Sequence, residues 1–115
     1  MHELSLIEGL FDTLVEKAAA HNAREVTLVT IKVGPLAGVV PELLESAFDM
    51  YKKETIAARA KLVVEPLPFV IRCRACGAET SRDQPIAACP SCGSADYAII
   101  QGTEVYLDKL ELELD

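Results

Sequence analysis

The sequence predicts an α+β fold: two helices packed on a small three-stranded sheet, with a four-cysteine module inserted before the last strand. Three observations carry this. Two segments place apolar residues at helical spacing. Three others are β-branched or alternate apolar with polar positions. All four cysteines of the 115-residue chain fall between residues 73 and 92. The length suits one domain, or one domain carrying a small module. An apolar fraction of 50% with only 5% aromatics implies one core built mostly from Leu, Val, Ile and Ala.

Residues 5–20 form the first predicted helix. Leu4, Ile7, Leu10, Phe11, Leu14, Val15 and Ala18 share one face, with Glu8, Asp12 and Glu16 opposite. Ser5-Leu6-Ile7-Glu8 fits a capping box with Ser5 as N-cap. Met1-His2-Glu3 is then a short free end outside the helix. Residues 25–33 (EVTLVTIKV) form the first strand, and Gly34-Pro35-Leu36-Ala37-Gly38 breaks it. Pro41 opens the second helix, where its missing N–H costs nothing. Leu43, Leu44, Ala47, Phe48 and Tyr51 make the apolar face of that helix, and Glu42, Glu45, Asp49 and Lys52 lie opposite. Acids come early and Lys52-Lys53 late, as the helix dipole favours.

Residues 61–65 form the second strand, and Pro66-Leu67-Pro68 stiffens its exit. After the cysteines, Gly102-Thr103 precedes a third strand over 104–114, with Leu110, Leu112 and Leu114 against Glu111 and Glu113. Strands two and three are expected to pair antiparallel across the module. The domain division that follows is an α/β domain of residues 1–68 and 101–115 and a module of residues 69–100.

Eleven basic against eighteen acidic side chains give a formal charge of −7. That balance argues against binding phosphate backbones, which requires a basic surplus. It suits a protein that meets cations or a basic partner surface. No apolar run approaches the roughly 20 residues that span a bilayer. With no basic, then apolar, leader pattern at the N-terminus, the expected location is the cytoplasm.

In a reducing compartment, clustered cysteines point to a metal site rather than a disulfide framework. The pattern is Cys73-x-x-Cys76, twelve residues, then Cys89-x-x-Cys92. Each pair turns two sulfurs toward one point. Gly77 and Gly93 follow the two knuckles, and Pro90 pre-sets the second turn. Four thiolates make the closed tetrahedral set of a structural Zn²⁺ site, and the module is zinc-ribbon-like. Catalytic zinc needs an open position, and a thioredoxin-type dithiol needs one such pair at a helix start. The module is too small to fold on its own core, so zinc supplies on the order of 10 kcal/mol of its folding free energy.

His2 follows the first residue directly. The Met1 amine, the His2 amide nitrogen and the His2 imidazole can close a five-membered and a six-membered chelate ring. Planar nitrogen sets suit Ni²⁺ and Cu²⁺ and discriminate against tetrahedral Zn²⁺. Glu3 can complete the plane through its amide or offer its carboxylate. Residue by residue, plainer readings stand beside this one. His2 reads as a surface histidine, Glu3 and Glu8 as helix-start acids, and His21 as a polar residue closing the first helix.

Met1-His2-Glu3-Leu4-Ser5, Val33-Gly34-Pro35-Leu36-Ala37-Gly38-Val39, Glu42-Leu43-Leu44 with Ala47-Phe48-Asp49, Ala60-Lys61-Leu62, both cysteine knuckles and Gly102-Thr103-Glu104 stand in order along nearly the whole chain. Together they resemble the HypA/HybF family, nickel metallochaperones of [NiFe]-hydrogenase maturation. The resemblance implies a transferred Ni²⁺ at Met1, His2 and Glu3, and a structural Zn²⁺ at Cys73, Cys76, Cys89 and Cys92. It implies no catalysis. It also implies a HypB-type GTPase and the [NiFe]-hydrogenase large subunit precursor as partners, with urease maturation proteins as further clients of some relatives. No nucleic acid or membrane is expected. Some relatives carry an acid before helix two or a histidine in the zinc module. This chain has Val39-Val40 and no histidine over 69–103, so no fifth protein ligand is expected. The alternative reading is a zinc-ribbon adaptor or nucleic-acid-binding module without nickel transfer.

Overall fold

The computed structural model describes residues 3–115. Their order is α1 (Glu3–Ala20), β1 (Ala23–Val33), α2 (Pro41–Tyr51), β2 (Lys61–Pro66), β3 (Phe69–Cys73), β4 (Glu79–Arg82), β5 (Tyr97–Gln101) and β6 (Val105–Leu114). The chain is α+β, as its patterning predicts. It divides into two compact units. The first takes in the chain through Ile31, Val39–Glu65 and Tyr106–Asp115; the second is Lys32–Gly38 with Pro66–Val105.

In the first unit α1 buries Ile7, Phe11, Leu14 and Ala18, a stripe at helical spacing. Val15, expected on that stripe, sits at its margin and is 55% exposed. The helix starts earlier than expected. Glu3 is helical, so Ser5 lies inside the first turn and is not the N-cap. A tertiary bond supports that turn: the Val40 N–H donates to Glu3 Oε2 at 3.1 Å. Met1 and His2 lie outside the described residues.

α2 begins on Pro41 as expected and buries Leu44 and Phe48, while Leu43 is 53% exposed. Phe11 packs against Phe48 with ring centroids 5.5 Å apart, and against Tyr51 at 4.9 Å. Glu3 meets Val40 and Phe11 meets Phe48 at the same offset of 37 residues, so the two helices run in the same direction. Lys52 closes α2, donating to Ala60 O at 2.9 Å with its ammonium over the Phe48 ring.

The sheet of this unit has the order β2-β1-β6. The expected pairing of residues 61–65 with 104–114 is therefore not made, because β1 runs between those strands. Burial explains the placement. β1 carries buried Val26, Val29, Thr30, Ile31 and Val33, whereas β6 buries no side chain fully. The most apolar strand takes the centre. Thr27 Oγ1 donates to Glu111 O, tying β1 to β6.

The second unit holds a further sheet, which the sequence does not predict. Its order is β4-β3-β5, with β3 antiparallel to both neighbours. Phe69, Ile71 and Cys73 alternate inward along β3. The Gly34–Gly38 loop belongs to this unit and grips both ends of the cysteine segment. Leu67 N–H donates to Val33 O, Leu36 N–H to Gly102 O and Gly34 N–H to Glu104 O, at 2.9, 2.8 and 2.8 Å. A Cβ on Gly34 would fall 2.2 Å from the Gly102 carbonyl oxygen. Gly38 is glycine for a different reason, a φ of +74° in open space.

These two glycines separate steric from conformational cost. Gly38→Ala should lower stability by about 1 kcal/mol. Gly34→Ala should cost more than about 3 kcal/mol, because two backbones must part. Urea denaturation of both variants measures the difference, and equal losses would contradict the assignment.

Candidate metal centre

Each cysteine pair sits in a turn of one design. In the first, Gly77 N–H donates to Cys73 O and Cys73 N–H to Ala78 O, both at 2.9 Å. In the second, Gly93 N–H donates to Cys89 O and Cys89 N–H to Ser94 O, both at 2.8 Å. Gly77 and Gly93 have φ of +79° and +80°, which lets the chain reverse after the second cysteine. The Cys76 N–H points at Cys73 Sγ, 3.4 Å away. Such N–H groups orient and stabilise thiolates.

The two turns bring all four sulfurs within 4.8 Å of one another. Cys73 Sγ lies 3.6 Å from Cys92 Sγ, and Cys76 Sγ 3.7 Å from Cys89 Sγ. A disulfide needs about 2.05 Å, so none is formed. A tetrahedron with metal–sulfur bonds of about 2.3 Å has edges of about 3.8 Å, close to both distances. Cys73 and Cys89 are buried while Cys76 and Cys92 are exposed. Four protein donors around one point close the coordination sphere and leave no position for a substrate or a departing ion.

The proton balance agrees with a cation at the centre. The Cys76 N–H, with the other bonds on Cys73, lowers the Cys73 thiol. The Cys92 and Ser91 N–H groups lower Cys89 to about 7. Cys92 receives a lowering bond from Ser94 N–H, yet the three neighbouring sulfurs and burial carry it up to about 12. The first thiols ionise readily and the last keeps its proton until a positive charge arrives.

Further contacts hold the turns in place. Arg74 Nη1 pairs with Asp96 at 2.9 Å and its N–H donates to Asp96 O, joining the first turn to the residues before β5. Tyr97 OH donates to Ile86 O at 2.7 Å and its ring meets Phe69 edge-on. Glu104 accepts from Gly102 N–H, which lowers its carboxyl. Sequence reasoning missed these roles; Gly102-Thr103-Glu104 was visible as a motif, but not the loop it closes upon.

The chain matches, over residues 1–112, the family described as HypA, hydrogenase/urease nickel incorporation metallochaperone. A hydrogenase maturation factor HypA from Aquifex aeolicus is 40% identical over the full length of both chains. The chain belongs to the HypA family. A HypA hydrogenase maturation factor of Shewanella halifaxensis is also 40% identical, over 98% of each chain. A solution structure of the Ni metallochaperone HypA from Helicobacter pylori superposes with a TM-score of 0.72 at 25% identity, covering both chains fully. HypA proteins are nickel metallochaperones and maturation factors, so this chain is a carrier and not an enzyme. Of the candidate site residues, Cys73, Cys76, Cys89 and Cys92 converge in the second unit. Glu3 lies in the first unit with its carboxylate on Val40, and Met1 and His2 fall outside the described residues.

A metal ion displaces thiol protons, from Cys92 above all, so its affinity rises with pH and falls as pH drops. A chelator should strip the centre more readily at about pH 6 than at about pH 8. Loss of amide protection in β3 and β5, with α1 retained, would report the event. Release independent of pH would contradict a thiolate site.

Proposed function

We propose that the chain binds Ni(II) at Met1, His2 and Glu3 and delivers it for maturation of [NiFe]-hydrogenase, while Zn(II) at Cys73, Cys76, Cys89 and Cys92 is structural. The observation that carries this reading is the closure of the sulfur centre. A nickel carrier must release its ion, and a centre surrounded by four protein sulfurs offers no exchangeable position. Among the described residues no other group of three or more His, Cys, Asp or Glu side chains converges. The cargo therefore needs other donors, and the amine, amide and imidazole nitrogens of Met1 and His2 make the planar set that Ni²⁺ favours. In this reading residues 1–68 and 101–115 carry nickel and residues 69–100 carry zinc.

Such a site releases nickel stepwise, because terminal ligands can be replaced one at a time. The partners in this reading are a HypB-type GTPase and the hydrogenase large subunit precursor, with urease maturation as a second destination. The setting is the cytoplasm, and no helix of the structure is long and apolar enough to cross a membrane. Intrinsic affinity favours Cu²⁺ over Ni²⁺ at these donors, so metal availability and partners set selectivity. The zinc-ribbon nucleic-acid alternative has little support from the arginines of the cysteine unit. Arg72 pairs with Glu79, Arg74 with Asp96, and Arg82 Nη1 donates to Ser81 O.

Nickel titration with zinc content monitored tests the reading. Wild type should bind one Ni(II) beside one retained Zn(II). His2→Ala, and a variant with one Gly added before Met1, should lose nickel and keep zinc. Nickel binding that survives both changes would overturn the N-terminal site.

A further inference from the structure

The start of α2 is a helix terminus without its own cap. Val40 occupies the N-cap position in extended conformation (φ −96°, ψ 115°), and its apolar side chain makes no capping bond. Pro41 at N1 has no N–H to satisfy. In a capping box, the residue at N3 reaches back to the N–H of the N-cap residue. Here N3 is Leu43, which has no acceptor to offer. The acceptor comes instead from Glu3, whose carboxylate takes the Val40 N–H at 3.1 Å across 37 residues of chain.

Charge gives the same carboxylate a second duty. Parallel helices place like dipole ends together, each worth roughly half a positive charge at the N-terminus. Glu3 stands in the first turn of α1 and on the N-cap of α2, so one full negative charge lies between two half-positive ends.

Resting on the nickel reading above, we propose that the Glu3 side chain is a positioning group and not a metal donor. It braces the start of α1 against α2, and so fixes the residue to which the proposed Met1-His2 chelate is joined in sequence. Residue 3 then serves nickel through its backbone nitrogen alone.

Hydrogen exchange at the Val40 amide, measured by NMR on the full chain with zinc bound, tests the brace. In nickel-free protein, Glu3→Ala should speed Val40 exchange about tenfold, the loss expected for a missing cap. Glu3→Gln keeps an acceptor oxygen and should retain most of the protection. Adding Ni(II) to wild type should leave Val40 protected, and Glu3→Gln should bind Ni(II) with an unchanged visible absorption spectrum. Exposure of Val40 on nickel binding, or an altered spectrum in Glu3→Gln, would show that the carboxylate leaves α2 for the metal and would overturn the proposal. Val40 exchange that ignores Glu3→Ala would overturn it as well. A failure of wild type to bind nickel would sink the nickel reading instead, and the nickel-free comparison would still judge the brace.

Discussion

Four sulfur atoms within 4.8 Å of one another govern how the second unit is built. As thiolates at this separation they repel one another. Hydrogen bonds from the two turns ease only part of this, as the high Cys92 thiol shows. A divalent ion converts mutual repulsion into attraction for a shared centre. The apolar support around it is thin: Leu67, Phe69, Ile71, Cys73 and Cys89 are the buried apolar side chains of the cysteine segment. With the proposed zinc bound, the three-stranded sheet would rest on the ion as much as on those residues. β3 ends on Cys73, and β5 starts beside Asp96, which holds the Arg74 of the first turn.

The first unit rests on different physics. Ile7, Phe11, Leu14 and Ala18 from α1, Leu44 and Phe48 from α2, and the inward residues of β1 supply an ordinary apolar core. Its unusual feature is electrostatic. Two helices of the same sense bring their positive ends to one corner, where Glu3 stands. Parallel dipole ends set side by side repel, and one carboxylate between them offsets that repulsion.

Much of this was legible in the sequence and some was not, for definite reasons. The helices show because periodicity is local, and Pro41 marks the start of α2 to the residue. The four-sulfur centre shows because spacing alone brings paired cysteines together. Strand order does not show, since pairing depends on which strand buries most; β1 displaced the expected partnership of β2 and β6. The sheet of the cysteine unit hid behind short strands such as Glu79–Arg82, which bury one residue of four. Ser5 misled because a capping box was complete in sequence, while the chain is already helical at Glu3. Glu3 was visible as a candidate ligand, but its bond to the start of α2 was not.

The loop from Val33 to Leu36 holds Leu67 and Gly102 within one set of backbone hydrogen bonds. The cysteine segment thus leaves and rejoins the rest of its unit at a single clasp closed by two glycines in backbone contact. A segment fastened this way is modular. Its far side, including the exposed stretch at residues 83–85, can lengthen, shorten or diverge between relatives without moving the place where it is attached. The clasp has no such freedom, because a single methyl group at Gly34 would prise it open. Drift in the family should therefore concentrate in the outer turns of the module and spare the few backbone atoms at its base.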